Sequence, residues 1–79
     1  DSAFAAAHLA FLLGARVIVL AGCLYSGGDP LAAELPVIDE HFRRLRAACA
    51  ARGTHLVSLT SGLSSIPSVD WSQVQRWIA

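Results

Sequence analysis

Apolar and polar positions along the chain fall into two tandem copies of one pattern: an apolar helical stretch, a glycine, then a short β-branched run. The first copy runs from Phe4 to Gly22, with Gly14 as the break and Val17, Ile18, Val19 and Leu20 as the run. The second runs from Pro36 to Gly62, with Gly53 as the break and His55, Leu56, Val57, Ser58 and Leu59 as the run. A helix that returns into a β-branched strand is the building unit of a parallel sheet. The pattern therefore predicts the α/β class, in the order α-β-α-β-α, with the strands parallel and adjacent.

The first helix is expected over Ser2–Leu13, with Ser2 as its N-cap and Gly14 as a left-handed C-cap. It is apolar nearly all round, so burial on several sides is expected, with His8 a core histidine. Val17–Leu20 is apolar on both faces, as a central parallel strand should be. The second helix is expected over Leu35–Arg52, with Pro36 in its first turn. Val37, Ile38, Phe42, Leu45 and Cys49 form its apolar stripe; Asp39, Glu40, Arg43, Arg44 and Arg46 lie away from it. Thr54–Leu59 is the second strand. A last helix starts near Ser68 or Asp70, where Asp70 and Gln73 have the spacing of a capping box. Trp71, Val74 and Ile78 share one of its faces.

Composition changes this picture in one respect. Of the 79 residues, 54% are apolar, above the roughly 45–50% usual in soluble domains. A domain this short buries only about 60% of its unfolded surface, and a parallel sheet needs helices on both faces. The expectation is a single partial domain over residues 1–79, a fragment of a larger domain, with possible self-association through strand edges.

The formal net charge is zero, and no basic patch points to nucleic acid. Arg43, Arg44, Arg46 and Arg52 read as a solvated face late in a helix, where positive charge suits the dipole. Asp39–Arg43 and Glu40–Arg44 have i, i+4 spacing. Gly14 and Arg16 interrupt the longest apolar stretch before it reaches the ~20 residues of a membrane span. Cys23 and Cys49 lack zinc spacing, so no metal site is expected and a reduced, cytoplasmic setting fits. Cys49 falls on the apolar stripe; Cys23 follows the first strand.

Ligands of parallel sheets bind at the carboxyl ends of the strands, which here means Gly22–Pro30 and Thr60–Pro67. Backbone N–H groups around Gly22, Gly27 and Gly28 suit an anion, and Tyr25 and Ser26 suit a sugar or phosphate. Asp29 is the single carboxylate of these loops, and one acid without a partner does not define acid–base catalysis. Thr60, Ser61 and Ser64 bring hydroxyls to the same edge. The glycines form neither a GxGxxG fingerprint nor a P-loop. His41 reads as solvated, and His55 opens its strand at the end away from the site. No general base and no cofactor is assigned.

SAFAAAHLAFLLG (Ser2–Gly14), ARVIVLAGCLYSGG (Ala15–Gly28) and HLVSLTSGLSSIP (His55–Pro67) resemble the 6-hydroxymethylpterin diphosphokinase-like proteins and the related motility-associated-factor glycosyltransferases. These are Rossmann-like proteins in which a similar helix feeds a strand and then a loop ending in paired glycines. The resemblance implies a fragment of a transferase acting on a nucleotide or nucleotide-sugar. Gly22, Tyr25, Ser26, Gly27 and Gly28 would lie near that ligand, with Thr60, Ser61 and Gly62 bordering the pocket. Cys23 and Leu24 stand where the family carries an aspartate, so the implied fragment is inactive alone. LGARVIVLAG, GGDP and ARGTHLVSL look, more weakly, like two units of a sugar-phosphate isomerase/epimerase TIM barrel. Ser58 and Thr60 occupy the region of that family's metal-binding glutamate. A third reading is a non-catalytic interaction or structural piece, pairing through strand edges and the Trp71/Trp77 helix.

Overall fold

A computed structural model describes residues 1–22, 32–60 and 62–79. The described elements are α1 (Ser2–Leu12), β1 (Val17–Leu20), a 3-10 turn over Ala32–Glu34, α2 (Leu35–Ala51), β2 (His55–Ser58) and α3 (Trp71–Ile78). The chain is thus a small mixed α/β domain with three α-helices and a two-stranded parallel sheet among the described residues.

The same device ends both long helices. Gly14 takes φ +89° and Gly53 φ +75°. After α1, the Gly14 N–H donates to the Phe11 carbonyl and the Ala15 N–H to that of Ala10. After α2, the Gly53 N–H donates to Ala50 and the Thr54 N–H to Cys49. Both are the paired bonds of a Schellman motif, which satisfy carbonyls that the helix leaves unbonded. Each glycine can occupy the left-handed region because it has no Cβ.

The strands pair Val17 with His55, Ile18 with Leu56, Val19 with Val57 and Leu20 with Ser58. Alternation then sorts side chains onto two faces. Ile18, Leu20 and Leu56 join Ala7 of α1 and Ile38, Phe42, Leu45 and Cys49 of α2 in one buried cluster. The opposite face carries Val19 and Val57, and α3 covers part of it with Val74, which is 2% exposed. Helices therefore lie on both faces, and no described helix is long and apolar enough to cross a membrane.

Phe42 anchors the main cluster. It is fully buried and meets the Phe4 ring edge-on, with centroids 5.3 Å apart and planes at 88°. That geometry suits the ring quadrupoles, and burying each such side chain stabilises the fold by about 1.5–3 kcal/mol.

Several expectations need correction. Asp1, not Ser2, caps α1: its Oδ1 accepts from the Phe4 N–H at 2.9 Å. Within α1 only Ala7 is buried, while Leu9 and Leu12 are 56% and 63% exposed and His8 is exposed. One flank of the helix meets the sheet and α2, and no described element covers the other. Val37 is exposed, because the helical stripe that reaches the sheet is Ile38, Phe42, Leu45 and Cys49. On α3, Trp71 and Ile78 are exposed; Val74 and half-buried Trp77 face the sheet. The Asp70 side chain makes no capping bond, and its carbonyl instead accepts from the Gln73 N–H at 3.0 Å.

The arginines also divide. Glu40 accepts from both Arg43 and Arg44, which holds its carboxyl at about 2. Asp39 turns from Arg43 toward Ser64 and Ser65. Arg52, though exposed, reaches back to the first helix: its guanidinium lies 3.8 Å from the Phe11 ring centroid and donates to the Phe11 carbonyl. A cation thereby sits at the carboxyl end of α1, where the dipole and the ring both attract it.

Candidate functional site

The carboxyl edge of the sheet is built by register. Leu20 and Ser58 are the last paired residues, so Gly22 and Thr60, each two positions further, leave the sheet on the same side. Gly22 has φ +74°, and an added Cβ would meet nothing within 4 Å. The backbone there is open to a ligand but closed to most side chains on conformational grounds.

Ser58 organises the second strand's exit. Its Oγ accepts from the Thr60 N–H at 3.0 Å, lies 3.2 Å from Thr60 Oγ1, and donates to the Thr60 carbonyl. This serine-to-backbone bonding folds the chain into a tight turn directly after the strand. The Ser58 N–H donates to the Pro67 carbonyl and its carbonyl accepts from Val69. The returning segment thus pairs with the outer edge of β2, and Ser68 Oγ donates to the Thr60 carbonyl at 3.3 Å.

Beside this turn a cleft of about 390 Å³ opens between β2 and α3, lined by Leu59, Ser68, Asp70, Gln73 and Arg76. The cleft therefore holds an amide, a hydroxyl, a guanidinium and a carboxylate at the strand's carboxyl end. The amide and guanidinium can donate to sugar or phosphate oxygens, and the hydroxyl and carboxylate can accept from sugar hydroxyls. Gln73 and Arg76 carry no sequence signal of this role, since on a short helix they read as ordinary polar positions.

Among the residues expected to contact a ligand, Gly22 and Thr60 reach this edge. Ser64 does not present a free hydroxyl to it: Ser64 Oγ donates to Asp39 Oδ2 at 2.7 Å. The Ser65 N–H and hydroxyl bond the same carboxylate. These bonds lower the Asp39 pKa, the Ser65 hydroxyl having the largest effect. Asp39 thereby ties residues 64–65 to the first turns of α2 and fixes the path of the second loop. Tyr25, Ser26, Gly27, Gly28 and Asp29, together with Ser61 and Cys23, lie outside the described residues.

No group of three or more His, Cys, Asp or Glu among the described residues can hold a metal ion. Cys49 is fully buried, and burial pushes its thiol up, away from the thiolate a nucleophile needs. His8 and His41 both pack near the Phe4 ring, with centroids 5.7 and 5.4 Å from it, and line one shallow cleft with it, whereas His55 stacks on Trp77 at the opposite end of β2. No family model, curated protein or solved structure matches this chain.

Proposed function

We propose that the chain is part of a Rossmann-like transferase domain and binds a nucleotide or nucleotide-sugar at the carboxyl edge of β1 and β2. One observation carries this reading. Two adjacent parallel strands end together at Leu20 and Ser58 and lead into Gly22 and Thr60, with helices on both faces of the sheet, and ligands of such sheets bind at that edge. Backbone amides of the glycine-rich loop would hold phosphate, and the Thr60, Ser68 and Gln73 groups would position sugar oxygens. Helices on both faces favour this arrangement over a barrel, whose helices all ring the outside. The nucleotide class rests on the resemblance of the strand and loop sequences. No general base is assigned, and the chain alone is expected to bind rather than to turn over.

Calorimetric titration of the chain with CMP-sugars, UDP-sugars, GTP and ATP tests the proposal. Saturable binding of one of them, lost in the Gly27→Val/Gly28→Val double variant while helical circular dichroism is kept, is the expected result. Absence of binding to all four classes rejects it, and unchanged affinity in the double variant removes the first loop from the site.

A non-catalytic interaction piece is the second reading, favoured by the outer edge of β1. No described strand pairs with that edge, and an apolar groove of about 380 Å³ runs between it and Ala3, Ala6 and Ala10 of α1. Open edges of this kind pair readily with other strands. Sedimentation equilibrium distinguishes the two readings: a concentration-dependent dimer abolished by Val19→Lys supports the interaction piece.

A further inference from the structure

A second cleft, about 420 Å³, opens at the amino end of β2, between the carboxyl half of α2 and the last turn of α3. We propose that it binds a small planar organic anion of the aromatic carboxylate class. The cleft lies at the opposite end of β2 from the nucleotide site proposed above and does not depend on it.

Charge points to an anion. Arg46 lines the cleft, and no carboxylate among the described residues does. Glu40, the acid nearest in sequence to the α2 arginines, is occupied by Arg43 and Arg44. Arg46 therefore projects into this cleft without an ion pair among the described residues. A guanidinium's fork of donors matches a carboxylate with two parallel bonds.

Backbone hydrogen bonding points the same way. The His55 N–H donates to Arg16 and the Leu59 N–H to Leu20, so the odd-numbered residues of β2 face β1. The even-numbered ones face outward. Ser58 is satisfied there by Pro67 and Val69, but Leu56 has no such partner among the described residues. Leu56 lines the cleft and is 3% exposed. A backbone donor on the cleft wall without a protein partner can bond a ligand oxygen there.

Shape selects a planar ligand. The His55 and Trp77 rings are parallel, 6° apart in plane and 3.9 Å between centroids. The stacked pair, Pro67 and Val69 all line the cleft, so a flat ring can lie against them. The cleft's volume lies within the range of about 300–1,000 Å³ common for small-molecule sites. Arg46 and the Leu56 N–H then hold the carboxylate, and the wall takes the ring.

Benzoate is the probe, with neutral benzamide as its control, titrated into the isotopically labelled chain and followed by heteronuclear NMR. The expected result is a saturable shift of the Leu56 amide and the Trp77 indole N–H with benzoate, and none with benzamide. Arg46→Gln, at an exposed position where folding is unaffected, should raise the benzoate Kd at least about tenfold, equivalent to about 1.4 kcal/mol. Absence of a saturable benzoate shift, equal binding of benzamide, or an unchanged Kd in Arg46→Gln overturns the proposal. Nucleotide titration reads different resonances, at Gly22 and Thr60, so the two sites stand or fall separately.

Discussion

The α1–β1 half and the α2–β2 half share a helix, a Schellman stop and a strand, yet they relate to the core in opposite ways. Among the described residues α1 buries only Ala7, whereas α2 buries Ile38, Phe42, Leu45 and Cys49. The outer edge of β1 is unpaired by any described strand, while that of β2 is closed at its carboxyl end by the segment around Ser68. Hydrophobicity alone would have ranked them the other way, since α1 is the more apolar helix. Amphipathic pattern, rather than total apolar content, determines how a helix packs: α2 has one apolar stripe and one sheet face to receive it. Helix α1 has apolar surface in excess of what the described elements can cover.

The largest expected effect sharpens this contrast. Phe42→Ala should cost about 3–5 kcal/mol, against a change within about 0.5 kcal/mol for Leu12→Ala, an exposed position. Urea unfolding of the two variants checks both. Comparable losses would mean that α1 carries as much of the core as α2.

Glycine substitutions probe what the halves have in common. Gly14→Ala and Gly53→Ala each place a Cβ at positive φ, with no steric neighbour within 4 Å. Each should therefore cost the conformational term alone, about 1–2 kcal/mol. Thermal unfolding giving unequal losses would show that the two stops are not equivalent.

Asp39 gives a pH signature confined to the second half. Its pKa is lowered in the folded chain by Ser65 and Ser64. The stability it contributes is fully present above the unfolded carboxylate value of about 3.9. It is lost as pH falls through the lower folded value, because the unfolded chain binds the proton first. Asp39→Asn should flatten this part of the stability–pH curve, and at neutral pH should cost about 1 kcal/mol. A curve as steep as that of the parent chain would assign the acid dependence elsewhere.

The smallest effect concerns exchange rather than stability. Ile18 and Leu20 direct their backbone groups toward β2, while those of Val17 and Val19 face the open edge. Hydrogen exchange should find the Val17 and Val19 amides faster than those of Ile18 and Leu20. Equal protection would indicate that another strand covers the edge in solution.

The candidate edge was legible only in part. Alternating helix and strand, read with the rule for parallel sheets, puts Gly22 and Thr60 at one edge, where the register places them. Ser64 has the same sequence credentials as Thr60, yet it bonds Asp39, 25 positions earlier. Gln73 and Arg76 join the cleft only because α3 crosses that part of the sheet. Tyr25–Asp29 and Ser61, which carry most of the expected anion contacts, lie outside the described residues.

The sequence by itself determined the local events: where each helix stops, which runs extend, and that the two strands are parallel. These depend on glycine's access to positive φ, on β-branched stiffness and on the length of the intervening helix, all properties of neighbouring residues. Tertiary structure alone decided which face of α1 remains uncovered, that Asp39 pairs with serines rather than with Arg43, and that Arg52 caps a helix other than its own. It also chose Trp77 over Trp71 for the sheet. The Asp39 choice is a competition between a partner one helical turn away and a partner brought close by packing. Helical spacing offers the first at every i, i+4 position, whereas the second exists only once the chain has folded.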